Sequence, residues 1–250
     1  NSAGAGATPT AGSVKIDGSN LGSALAGTIA ATKLSANTTS GFSVVEYPGN
    51  NTAGATIAHG LSVTPEMIFV KQLDNGTSSW RVYDKTLGAN QSIYLNLTEA
   101  ASGAGNGHWN NTSPTATVFT VRDGDGVNSS STNYVAYSFH SIEGYSKVGS
   151  YVGNANADGP FIYTGFKPAF TIVKLYSHSS YGWVMMDDAR DTYNVMAANL
   201  RANTSAAETD GSEMTVDYTS NGFKIRNTNN AANGSSYSYI YLAFAESPFK

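Results

Sequence analysis

The sequence predicts an all-β protein, and three observations carry that prediction. Apolar residues alternate with polar ones at a period of two, Gly- and Asn-rich segments break the alternation into short runs, and the runs recur further along the chain. The recurrence is collinear. Tyr47-Pro48-Gly49-Asn50 returns as Tyr151-Val152-Gly153-Asn154, and Phe69-Val70-Lys71 as Ile172-Val173-Lys174. Trp80-Arg81-Val82-Tyr83-Asp84 returns as Trp183-Val184-Met185-Met186-Asp187, and Phe119-Thr120-Val121 as Phe223-Lys224-Ile225. Tyr134-Val135-Ala136-Tyr137-Ser138-Phe139 returns as Tyr239-Ile240-Tyr241-Leu242-Ala243-Phe244. The separation stays near roughly 104 residues throughout, which marks a duplicated unit.

Composition agrees. Hydrophobic residues are 40% of the 250 and aromatics 11%, enough for a real core. Charged residues are only 13%, about half the usual share. Asn, Ser, Thr and Gly fill the gap, a mixture that favours strands and turns over helices. The net charge is -4 with no Lys or Arg run, so no nucleic-acid partner is expected. No apolar stretch is long enough to span a bilayer, so membrane insertion is not expected, and there is no signal-peptide pattern. Cysteine is absent, which removes disulfides and thiolate zinc sites.

In chain order, residues 1–40 read as a Gly/Ala/Thr-rich leader. No aromatic precedes Phe42, and isolated Val, Ile and Leu sit among small residues. Alone, such a segment buries too little to offset its ordering entropy. It is either a disordered linker or a fibre stem that orders when chains associate. Residues 41–144 are the first β-sandwich repeat, with strands expected at 67–73, 79–84, 92–96, 117–122 and 134–139. Residues 145–250 are the second, with strands at 169–176, 182–187, 222–227 and 239–244. Spacing and turn content suggest a sandwich or jelly roll. The copies form either two small sandwiches or one interleaved one, and the absence of a linker before Gly144-Tyr145-Ser146-Lys147 favours close packing. Helix is minor, with a turn or two expected in 199–209.

No catalytic set emerges: there is no G-x-S-x-G elbow, phosphate loop or H-E-x-x-H. No cofactor and no metal site are expected. His59, His108, His140 and His178 are scattered, and His59 reads as a turn residue. Asp187-Asp188-Ala189-Arg190-Asp191 reads as a structural ion-pair network, since neighbouring acids do not establish the opposed carboxylates of a glycosidase. Asp123-Gly124-Asp125-Gly126-Val127-Asn128 superficially suggests a calcium loop but reads as a hairpin connection. Trp80 and Trp183 fall on expected strands and read as core. Trp109 sits in the polar loop Asn106-Gly107-His108-Trp109-Asn110-Asn111, and Tyr181 lies beside His178 in another turn. Aromatics in such loops can stack on a sugar or insert into a partner, so Trp109, His178 and Tyr181 are the candidate binding residues.

Several segments resemble a domain of tail and fibre proteins of tailed bacteriophages: Gly41-Phe42-Ser43-Val44-Val45-Glu46-Tyr47, His59-Gly60-Leu61 with Pro65, and Trp109-Asn110-Asn111-Thr112-Ser113-Pro114. In the second half come Asp158-Gly159-Pro160-Phe161, Ala189-Arg190-Asp191, Asn221-Gly222-Phe223-Lys224-Ile225-Arg226 and Ala245-Glu246-Ser247-Pro248-Phe249-Lys250. The likeness covers residues 41–250. Gly27–Leu34 is similar to segments of phage fibre stems. The resemblance implies a virion protein: a tail fibre or related tip, homotrimeric, joined to other virion proteins through its N-terminal segment, and touching a host-surface glycan or protein. A purely structural fibre, collar or decoration protein is the alternative, and a polysaccharide depolymerase the third reading. The first reading makes the chain a non-enzymatic recognition module.

Overall fold

The structure is a computed structural model that describes residues 6, 8–103, 107–124, 126–211 and 213–246. The start of the leader, Asn106 of the Trp109 loop, Asp125 of the calcium-like loop and the closing Ser247-Pro248-Phe249-Lys250 lie outside the described residues. The protein is all-β, in several sheets, with one four-residue helix among the described residues. It divides into two compact units, Asn1–Tyr94 with Ser102–His140, and Leu95–Ala101 with Ser141–Lys250.

The first unit contains β1 (Val14–Ile16), β2 (Ser19–Asn20), β3 (Lys33–Asn37), β4 (Phe42–Pro48), β5 (Ala55–Ala58), β6 (Met67–Gln72), β7 (Arg81–Asp84), β8 (Ile93–Tyr94), β9 (Val118–Val121) and β10 (Asn133–Phe139). An eight-stranded sheet runs β2-β1-β3-β4-β10-β6-β7-β8, and β5 pairs with β9 in a second layer. Alternation decides which side faces in. On β10, Tyr134 and Ala136 are buried beside Tyr47 and Val45 of β4, and Phe119 and Ile57 of the smaller sheet join the same core.

The leader differs from its expectation. Residues 14–37 form three strands of the first unit, β1 pairing parallel with β3 and β3 antiparallel with β4. Val14, Ile29, Ala31, Leu34 and Ala36 are all buried. The physical reason is that the leader needs no core of its own, because the sheet it joins supplies the aromatic surface that it lacks. Further along, Thr28 and Ile29 donate their N–H groups to Thr56 O at 2.9 Å each, so the leader also closes the outer edge of β5.

The second unit contains β11 (Ser146–Val152), β12 (Phe161–Tyr163), β13 (Pro168–Leu175), β14 (Trp183–Asp187), β15 (Ala198–Arg201), β16 (Thr209–Asp210), β17 (Val216–Thr219), β18 (Gly222–Ile225), α1 (Asn230–Asn233) and β19 (Ser238–Ala245). One sheet runs β11-β19-β13-β14-β15-β16 and a second runs β12-β18-β17. Their facing sides bury Val173, Tyr239, Tyr241, Phe223, Ile225 and Val216 among others. The turn of helix expected in 199–209 is absent; β15 and β16 pair there instead. The helix lies at Asn230–Asn233, where the Asn229 side chain caps it by accepting from Ala231 N at 2.8 Å.

The two units share more than strand order. In the first, Tyr47 donates its hydroxyl to Val127 O at 2.8 Å and stacks on Tyr134 at 5.4 Å. In the second, Tyr151 donates to Ala232 O at 2.8 Å and stacks on Tyr239 at 4.8 Å. Asn128 Oδ1 accepts from Asn50 N while its amide donates to Thr52 O; Asn233 does the same with Asn154 N and Asn156 O. Gly49 and Gly153 are needed at the same clasp: a Cβ there would meet Ser129 O at 2.0 Å and Gly234 O at 2.3 Å.

Candidate functional site

Loops at one end of each unit hold the groups with chemistry to offer. In the first unit, the β6–β7 hairpin tip is organised by Lys71, whose ammonium donates to Asn75 O at 3.3 Å, Gly76 O at 3.4 Å and Ser78 O. Asn75 Oδ1 accepts from Thr77 N at 3.0 Å and Thr77 Oγ1 at 2.7 Å. Between this tip and the 129–132 loop opens a pocket of about 460 Å³, lined by Gln72, Asn75, Thr77, Ser79, Arg81 and Ser129. The Arg81 guanidinium lies 4.5 Å over the Tyr94 ring. His108 makes an edge contact with Tyr94, and its imidazole is pushed down to about 4 by burial, with the Arg81 and Arg122 charges acting the same way. The pocket is a concave surface of hydroxyls and amides around the Arg81 cation. Such a surface offers both donors and acceptors to a polyhydroxylated ligand.

The second unit fills the corresponding place with aromatics. Lys174 donates to Tyr181 O, and burial pushes its ammonium down to about 8 against the opposing pull of Glu99. His178 is exposed and stacks on Tyr237 at 3.8 Å, with its Nδ1 3.0 Å from Ser177 Oγ. Tyr181 is half-buried against the core of its unit. The two sequence candidates thus share one loop, His178 at its surface and Tyr181 turned inward.

Trp109 is corrected. It is 1% exposed and packs edge-on against Tyr83 at 5.7 Å, inside the first core. Asn111 stays exposed beside it, and the backbone turns at Asn110 and Asn111, both with positive φ. Its Nε1 is buried without a hydrogen-bond partner, so it presents nothing to a ligand. Trp183 is fully buried, and Trp80 is half-buried on Tyr137 at 6.1 Å.

The remaining candidates are internally occupied. Arg190 bonds Asp187 at 2.7 Å and Glu208 at 2.8 Å, and Asp191 accepts from Ala197 N and Ala198 N at 2.6 Å each, which holds its carboxyl below the usual range. His59 is buried, with Nε2 3.1 Å from Thr115 O and Nδ1 accepting from Leu61 N. Burial pushes it down to about 4. Among the described residues no group of three His, Asp or Glu side chains could hold a metal ion, and no helix is long and apolar enough to cross a membrane.

The sequence reading missed an exposed aromatic pair, Phe161 (47% exposed) and Tyr163 (65%), on β12. The signal was the alternation Phe161-Ile162-Tyr163, too short to assign faces without knowing that Ile162 points into the core. No curated protein and no solved structure matches this chain. Residues 11–248 match the model of a family described as a domain of unknown function, DUF7483, and the chain belongs to that family.

Proposed function

We propose that this protein is a non-enzymatic recognition module of a tailed-bacteriophage virion fibre, homotrimeric and directed at a host-surface glycan or protein. The observation that carries the recognition reading is the polar pocket of the first unit, where hydroxyl and amide side chains surround Arg81 at an open end of the sandwich. The sequence resemblance over 41–250 supports the virion setting. Residues 14–37 are folded into the first unit, and in this reading the N-terminal segment joins the chain to other virion proteins. Several heads on one particle raise the effective concentration, so weak individual contacts suffice.

The test is binding of the labelled full chain to a panel of bacterial cells and immobilised surface glycans, beside Gln72→Ala and Ser129→Ala variants. Retention that weakens about tenfold in the pocket variants supports the reading. Absence of any retention overturns recognition and leaves the structural-virion reading in its place. Light scattering at three times the 26.2 kDa chain mass tests the trimer.

A further inference from the structure

The three-stranded sheet β12-β18-β17 has an inner face of Ile162, Phe223, Ile225, Val216 and Tyr218. Its outer face carries Phe161 and Tyr163 from β12, Lys224 from β18, Asp217 from β17, and Arg226, which follows β18 and pairs with Asp217. Three features distinguish this face.

The first is the posture of the rings. A Cβ placed on Gly222 would lie 2.9 Å from Phe161 Cζ, and one on Gly165 would lie 3.6 Å from the Tyr163 hydroxyl. The far end of each ring therefore lies by a glycine, with no side chain beside it there, and both rings stay open to solvent, Phe161 47% and Tyr163 65% exposed. Alternate residues of a strand are about 7 Å apart and neighbouring strands about 5 Å, so the two rings lie side by side on one side of the sheet with the charged groups next to them.

The second is charge. Lys224 Nζ pairs with Asp158 at 2.8 Å and also donates to Gly159 O at 3.1 Å; Arg226 Nε pairs with Asp217 at 3.4 Å. Two cations and two carboxylates flank the rings and sum to zero. Asp217 is mostly buried beneath Arg226, and Lys224, Asp158 and Arg226 offer hydrogen bonds without favouring either an anion or a cation.

The third is the contrast with the first unit. There the strand in the same position, β5, has Thr56 and Ala58 where β12 has Phe161 and Tyr163, and the leader is bonded along it through Thr28 and Ile29. No described residue bonds β12 in that way.

We propose that the outer face of β12-β18-β17 is a carbohydrate-binding platform on which Phe161 and Tyr163 stack beneath successive units of a neutral oligosaccharide, with Lys224, Asp158 and Arg226 bonding its hydroxyls. Sugar rings have an apolar C–H face and a polar rim, which match flat aromatic faces bordered by donors and acceptors. The balanced local charge and the net charge of -4 select against phosphate-bearing chains. The proposal deepens the recognition reading by naming a ligand class and a second, separate site.

The test uses the full chain on an array of neutral, carboxylated and sulfated oligosaccharides. Titration calorimetry then follows with a retained glycan for wild type, Phe161→Ala, Tyr163→Ala and the double variant. Circular dichroism and melting confirm that these exposed changes leave the fold intact, and Thr56→Ala serves as the control on the equivalent strand. The expected result is preferential retention of neutral glycans and a loss of about tenfold or more in the double variant, with the control unchanged. Retention of charged glycans alone, or binding that survives the double variant, overturns the platform. So does a double variant that changes only the solution mass, since that outcome makes β12 an edge for self-pairing. Binding that is lost in Gln72→Ala but kept in the double variant overturns this proposal and leaves the recognition reading standing.

Discussion

Asn128 and Asn233 are each fully buried and each tie two backbone segments nearly eighty positions away in sequence to their own loop. A buried amide that satisfies an N–H and a carbonyl leaves both unsatisfied when it is removed. Asn128→Ala and Asn233→Ala are each expected to destabilise their unit by about 2 kcal/mol or more, read as a shift in urea unfolding. The segments they bind, which begin at Tyr47 and Tyr151, were legible as a recurrence, but the correspondence of Asn128 with Asn233 and their hydrogen bonds were not. Trp109 was misread for a related reason. Sequence neighbours report the polarity of a loop, not the direction in which one of its side chains points.

Elements show which differences between the units are compensated. Ala136 faces Val45 across β10 and β4, whereas Tyr241 faces Gly149 across β19 and β11. A Cβ on Gly149 would come within 2.7 Å of the Tyr241 hydroxyl, so Tyr241 fills the space that a side chain at 149 would need. Gly149→Val is expected to cost about 1–3 kcal/mol by overpacking, and Gly149→Val with Tyr241→Ala to recover part of it, measured as a double-mutant cycle. The leader is the element on which the sequence expectation failed. Leu34 and Ala36 do alternate in Lys33–Asn37, but a five-residue strand of small side chains carries little signal without its partner. Deleting residues 1–40 removes five buried apolar side chains, on the order of 5–10 kcal/mol of transfer free energy, comparable to the stability of a whole domain. That deletion is expected to unfold the first unit, seen as lost amide dispersion in NMR, rather than merely to dissociate an assembly. Strand positions around the aromatic repeats matched within a few residues because period two and bulky residues coincide there.

For the whole molecule, pH sets buried groups against one another. His59 and His108 titrate near 4 in the fold and 6.5 when unfolded, so the stability they contribute is present above 6.5 and is lost as pH falls towards 4. Asp84 does the opposite. Burial pushes its carboxyl up to about 6, even though Thr86 N donates to it at 2.7 Å. The folded state thus holds an extra proton between 3.8 and 6, and stability from this group falls as pH rises through that window. With two histidines against one aspartate, stability is expected to rise from pH 4 to pH 7. Asp84→Asn keeps the acceptor for Thr86 and removes the opposing trend, so its rise is expected to be steeper. Urea unfolding at pH 4, 5, 6 and 7 reads both slopes, and an unchanged slope in the variant contradicts the assignment to Asp84.

The position of β10 and β19 has a consequence in time. Each is the last strand of its unit in sequence, yet each lies in the interior of its sheet, β10 between β4 and β6 and β19 between β11 and β13. As the chain leaves the ribosome, the flanking strands wait with open edges until the final strand arrives to bridge them. Each unit therefore closes late and all at once, in the slow regime of folds governed by long-range pairing. A chain cut short just before residue 238 would lose the centre of a sheet rather than its margin, and its stranded edges would be open to pairing with neighbouring chains.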